Sequence, residues 1–250
     1  MTDPLSLDTE STEEPLTTSR SKTSQMRMGP ILLAALCLWS CALTVTPLLN
    51  EEQVRRANNY IQQQFAKDFN YQYAYFVRFT ADECNRGLTN QVLREALKNE
   101  DADDLYQKVN NYGIYEGNRM VAASFLEHEH YTDHSEYRLL TPDNNSPIRK
   151  LLGKEPVVGC AIFYSLNSPC ITKCIRPNGN YNIINLLQSV TNIPQDKVFA
   201  FGKVFRYDAG NPETWTSWRT LNDYMPLYRC NGNNCIHCFK NGVQQNNCMD

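Results

Sequence analysis

The sequence has no excess of positive charge: 24 Lys and Arg stand against 27 Asp and Glu, for a formal net charge of -3 over 250 residues. That balance excludes a polybasic coat protein and a histone-like DNA binder. Only one apolar run is long enough to matter for a membrane, which excludes a multispan protein. No internal repeat is present. A disordered acidic chain is excluded too, because 42% of the residues are hydrophobic and 11% aromatic. Cysteine, by contrast, is plentiful. Ten of them is a high number for an ordinary cytosolic enzyme of this size and points to the secretory route. The length suits one domain behind a leader.

Residues 1–29 are rich in Ser, Thr and acidic side chains and read as a disordered N-terminal tail. The segment 30–49, PILLAALCLWSCALTVTPLL, carries no charge. Arg20, Lys22 and Arg27 precede it, and Glu51 and Glu52 follow. This asymmetry keeps the N-terminus cytosolic and sends the rest to the lumen or outside. Two readings compete. A cleaved signal peptide has its apolar core at Ile31 to Trp39 and its small-residue site at Ser40-Cys41-Ala42. An uncleaved signal anchor of about 20 residues just spans a bilayer. The chain is then either secreted or a single-pass type II membrane protein with a lumenal or extracellular domain.

The folded part divides into a domain at 50–229 and a Cys-rich C-terminal tail at 230–250. Val54, Ala57, Ile61, Phe65 and Phe69 recur at gaps of three and four and predict a helix over 50–69, capped by Asn50. Aromatic alternation predicts a strand over 71–79. Two helical pieces are expected within 89–110 and a strand over 119–127. A helix over 133–140 has Thr132 or Asp133 as its cap, and the TPDNNSP stretch is a loop. The strongest buried-strand signal is 155–165, EPVVGCAIFYS. It leads into a predicted helix with Ser168 as N-cap and Pro169 at its first position. A helix over 182–190, a strand over 197–205 and a helix over 215–228 complete an α/β pattern with partly parallel strands.

Two fragments carry chemistry. One is His134-Ser135-Glu136, and the other is Pro169-Cys170-Ile171-Thr172-Lys173-Cys174. Cysteines four apart on a helix share a face, and one imidazole with two thiolates suits zinc while leaving a fourth position open. His134, Cys170 and Cys174 are thus candidate ligands for Zn2+. Glu136, without ligand duty, is placed to move protons. The competing readings are a solvated histidine, a plain surface carboxylate, and cysteines paired as disulfides.

The order H-S-E, then 32 residues, then P-C, with a Ser-Pro step ending a strand, resembles the zinc-dependent cytidine/nucleobase deaminase superfamily, in its secreted, toxin-like or AID/APOBEC-like branch. The likeness covers about 120–205, and the departure is three residues between the cysteines where the family signature has two. The resemblance implies a three-layer cytidine-deaminase-like fold, with a central mixed sheet flanked by helices. It implies Glu136 as the catalytic acid/base and a nucleobase, nucleoside or single-stranded nucleic acid as substrate. Ser168, Asn167 and Tyr164 become candidate substrate-binding residues, with Trp215 a further base-stacking candidate. The alternative is a non-enzymatic, disulfide-stapled extracellular binding domain on a deaminase-like scaffold. No protein partner is inferable; the membrane is a partner through 30–49 if the leader stays uncleaved.

Other features remain open. His128 and His130 share a strand face and could bind a metal, but the favoured reading is a solvated strand end. Six further cysteines, Cys84, Cys160, Cys230, Cys235, Cys238 and Cys248, allow 15 sets of three bridges, with Cys160 a candidate buried free thiol. The last four, with His237, also resemble a zinc knuckle. Asn144-Asn145-Ser146 is a glycosylation sequon followed by Pro147.

Overall fold

The computed structural model describes residues 49–67, 69, 71–154, 158–190 and 196–250. The predicted tail and, apart from Leu49, the predicted leader lie outside the described residues, as do 155–157 of the strand predicted over 155–165. Among the described residues no helix is long and apolar enough to cross a membrane.

Aromatic and β-branched residues build the centre. β1 (Tyr73–Phe79) is buried along its whole length, so it packs on both faces. β2 (Ile114–Glu116) and β3 (Met120–Ser124) lie to one side. β6 (Cys160–Asn167), β7 (Asp196–Lys203), β8 (Leu227–Asn231) and β9 (Asn234–His237) lie to the other. The sheet runs β2-β3-β1-β6-β7-β8-β9. Only the β6/β7 and β7/β8 pairs are parallel; the β1/β6 and β8/β9 pairs are antiparallel. This is the mixed central sheet that the sequence predicts.

Strand alternation sends side chains to two separate cores. On one face, Tyr75, Val77, Ile162 and Tyr164 pack beneath α1 (Glu51–Phe65), α2 (Ala81–Asn85), α3 (Asn90–Ala96) and α4 (Ala102–Asn110). On the other, Ala74, Phe76, Ala161, Phe163 and Phe199 meet α5 (Ser135–Leu140), α6 (Pro147–Gly153), α7 (Ile183–Ser189) and α8 (Thr214–Asn222). The result is three layers.

Local chemistry sets the element ends. Asn50 and Gln53 form a reciprocal capping box that starts α1. That helix stops at Phe65 rather than 69, because Phe69 leaves it to pack on the rings of Tyr73 and Tyr106. At the end of the predicted loop, Ser146 accepts the Arg149 N–H and Pro147 occupies the first turn; this opens α6, a helix that the sequence pattern does not announce. α8 ends before 228 because Pro226 has no N–H to continue it and Leu227 opens β8.

The cysteines resolve into Cys84–Cys160, Cys230–Cys235 and Cys238–Cys248. Cys160 is therefore not a free thiol, and the C-terminal cysteines form no zinc knuckle. Residues 230–250 also hold more order than their composition suggests. The boundary at 230 falls inside β8. β9 then extends the main sheet, and a further hairpin joins β10 (Phe239–Lys240) to β11 (Val243–Gln244).

Candidate functional site

The site gathers at the carboxyl end of β6, where its parallel pairing with β7 ends and the chain turns away. β6 closes at Asn167, and Ser168 enters the turn with its N–H donated to the Lys203 carbonyl at 2.7 Å. Its hydroxyl accepts the Phe205 N–H at 2.9 Å, so Ser168 ties two loops together and caps nothing. The helix predicted after it is a single turn. Cys174 and Ile175 both donate their N–H to the Cys170 carbonyl. Propagation then fails: Pro177 has no N–H to give, Asn178 takes a left-handed φ of 59°, and the Cys174 carbonyl is already used by Ile183 at 2.8 Å. Asp208, fully buried, accepts the Ile171 N–H at 3.1 Å and holds the turn from below.

That one turn is enough to bring the two sulfurs to 3.6 Å. From the other side, a short β4 (Leu126–Glu127)/β5 (Thr132–Asp133) hairpin delivers His134. Thr132 and Asp133 belong to that hairpin, so the N-cap of α5 is His134 itself, and its ring makes no cap bond. Its Nδ1 lies 3.1 Å from Cys174 Sγ and 3.6 Å from Cys170 Sγ. Among the described residues these three are the one group of metal-ligating side chains with donor atoms this close together. Zinc bonds of about 2.3 Å to sulfur and 2.0–2.1 Å to nitrogen, spread tetrahedrally, separate such atoms by about 3.6–3.8 Å. The observed edges match this to within about half an ångström, and the donor set of one imidazole and two thiols suits zinc.

The surroundings couple the three groups electrostatically. Hydrogen bonds from Cys174 and His134 hold the Cys170 thiol far below the usual range, although burial opposes them. The Cys170 thiolate and full burial push Cys174 upward. For His134, burial opposes the charged ring, yet the bond with Cys170 and the charge of Glu136 outweigh it and raise its pKa.

Glu136, in the first turn of α5, is only 2% exposed. Its Oε1 accepts the Ser165 hydroxyl at 2.6 Å and its Oε2 accepts the Ser135 hydroxyl at 3.0 Å. It shares a cavity of about 160 Å3 with His134 and Cys170, walled by Gln72, Phe125, Thr132, Asn167, Ser168 and Phe205. A larger cleft of about 580 Å3 opens at the opposite end of β7, around Asp196, Lys197 and His237, and holds none of these groups.

Of the predicted substrate-binding residues, Asn167 and Ser168 line the cavity. Tyr164 does not. Strand parity turns it to the other face of the sheet, where its ring stacks on Tyr75 at 4.9 Å. Trp215 packs on Trp218 and Phe239 away from the cavity. His128 and His130 are no metal pair either: His128 bonds Asp133 at 3.0 Å and stacks on Tyr131, while the His130 side chain is 83% exposed.

The sequence pattern does not mark Gln72, Ser165, Phe125 or Phe205, and it marks Ser135 only as part of the His134–Glu136 fragment and Thr132 only as a helix cap. Gln72 and Ser165 had a usable signal, since both are polar residues at core-facing parity, in step with Ala74 and Phe76 and with Ala161 and Phe163.

A family model described as Secreted Novel AID/APOBEC-like Deaminase 1 matches residues 53–250. No curated protein and no solved structure matches the chain.

Proposed function

Because the chain belongs to this family of secreted AID/APOBEC-like deaminases, we propose that it is a zinc-dependent hydrolase that removes the exocyclic amine of a nucleobase, nucleoside or single-stranded nucleic acid outside the cytosol. The observation that carries this reading is the convergence of His134 Nδ1 with the Cys170 and Cys174 sulfurs beside a buried carboxylate facing the same cavity. Three disulfides accord with a protein that matures in an oxidising compartment. The domain extends from about residue 50, behind a leader at 30–49, and takes in the C-terminal strands.

His134, Cys170 and Cys174 would hold the zinc. Zinc there supplies Lewis acidity and makes hydroxide accessible at a pH near 7. Glu136 takes one proton of the attacking water and passes it to the ring nitrogen, then takes the second from the newly added hydroxyl and passes it to the departing amine. A C–O bond forms at the amino-bearing carbon, the C–N bond breaks, and ammonia leaves a carbonyl behind. Asn167 and Ser168 form the wall against which the base is oriented. Phe125 and Phe205 offer apolar surface to its faces and exclude water.

Replacement of Glu136 tests the assignment. Glu136→Ala keeps the fold and one zinc per chain, and abolishes ammonia release from a panel of cytosine, adenine and guanine compounds, free and in strands, read by mass shift. Cys170→Ala loses the zinc. A parent that binds zinc yet converts nothing in the panel overturns the enzyme reading and favours a binding domain on the same scaffold.

A further inference from the structure

Gln72 lies between α1 and β1 and is anchored at both ends of its amide. Its Oε1 accepts the Asn167 backbone N–H at 2.9 Å. A backbone N–H can only donate, so this contact fixes which end of the amide is oxygen and turns Nε2 toward the two serines. Nε2 stands 2.7 Å from Ser165 Oγ and 3.1 Å from Ser135 Oγ, with Glu136 Oε1 at 3.5 Å. The amide has two hydrogens and two near acceptors, so both hydrogens go to serine oxygens. Each serine has one proton. With its oxygen already accepting from Gln72, that proton is left for the carboxylate, and the two hydroxyls grip Oε1 and Oε2 of Glu136 separately.

We propose that Gln72 is a positioning residue: through Ser135 and Ser165 it sets the plane of the Glu136 carboxylate, and through Asn167 it ties that plane to the wall of the substrate cavity. The role rests on the reading of Glu136 as the group that moves protons. A carboxylate held at both oxygens cannot rotate away from the reacting water, whereas one freed to turn meets the water in few of its orientations. Loss of alignment near 1 Å costs about 100-fold in rate, and the loss falls on kcat because Gln72 acts through the carboxylate rather than on the ground-state base.

The test uses the zinc-loaded secreted chain. In 15N-labelled protein, the Gln72 side-chain amide signals, identified by their loss in Gln72→Leu, exchange slowly with solvent and shift in both Ser135→Ala and Ser165→Ala. In turnover of whichever panel compound is converted, Gln72→Leu lowers kcat about 100-fold and leaves KM within about threefold. Added to S135A/S165A, it lowers kcat by no more than about a further twofold, since its route to the carboxylate is already cut. Gln72→Glu can still accept from Asn167 but offers the serines no donor, and loses kcat to at least the same degree; it decides the matter if the leucine variant fails to fold. Side-chain amide signals that exchange freely and ignore both serine substitutions overturn the clamp. A Gln72→Glu enzyme with parental kcat overturns the role. A parent inactive on every compound removes the catalytic role together with the deaminase reading, while the amide signals still decide the clamp.

Discussion

At Gly202, on β7, an added Cβ would meet the Tyr164 hydroxyl at 2.5 Å and the Leu166 carbonyl at 3.1 Å. The tyrosine tip has some freedom to move, but the carbonyl belongs to β6, one residue before the strand enters the site. Gly202→Ala therefore strains the β6/β7 pair and costs about 1–3 kcal/mol, seen as a lower urea midpoint with an unchanged slope. The same neighbourhood shows how far single residues are legible in a sequence. His134, Glu136, Cys170 and Cys174 stand out because their types are rare and their spacing has a chemical meaning. Tyr164 also had a plausible type for base binding, but its parity in β6 places it beside Ile162 and away from Ser165. Gln72 is plain in type, and only its core-facing parity marks it. Attention to parity separates Tyr164 from Gln72 before any coordinates exist.

Strands were easier to place than helices, because a strand buried on both faces leaves an unbroken apolar signature while these short helices depend on caps and breakers. The turn holding both cysteines shows this. Its Ser-Pro start is a sound helix signal, yet Pro177 and Asn178 end it after one turn. The C-terminal segment misled in the opposite direction. It lacks hydrophobic periodicity, but Asn241-Gly242, both at positive φ, is the turn pair that two-residue hairpins require. Gly232, with a φ of 57°, similarly sits at the β8/β9 reversal. Within that hairpin, His237 stacks on Tyr228 at 4.8 Å. Burial lowers the pKa of its imidazole; the nearby Glu51 charge opposes the shift and Lys240 adds to it. The folded protein thus holds a neutral ring while the unfolded chain takes up a proton near pH 6.5. This contribution to stability is complete above that value and is lost as pH falls through the lower folded one. Thermal unfolding followed from about pH 8 to pH 5 shows a steeper fall for the parent than for His237→Gln.

The seven strands and two cores form one structure that continues to the C-terminus. β8 pairs with β7 on one side and β9 on the other, so ending the chain after Arg229 cuts β8 and removes its outer partner together with two disulfides. Such a truncated chain exposes an unpaired strand edge, and the expected outcome is loss of secretion, with aggregated material inside the producing cell. Loss of Cys238–Cys248 alone, in a double Cys→Ala variant, is milder and costs about 2–4 kcal/mol, measurable as a drop in melting temperature.

Six cysteines are joined in pairs, while Cys170 and Cys174 stay reduced with their sulfurs 3.6 Å apart. In a compartment that oxidises neighbouring thiols, that spacing makes the order of maturation decisive. If the proposed zinc is bound first, both sulfurs would be occupied and shielded; if an oxidant arrives first, they would become a further bridge unable to hold it. Secretion into medium stripped of zinc should yield a product lighter by two hydrogens, with Cys170 linked to Cys174 in a peptide map, that takes up metal only after mild reduction.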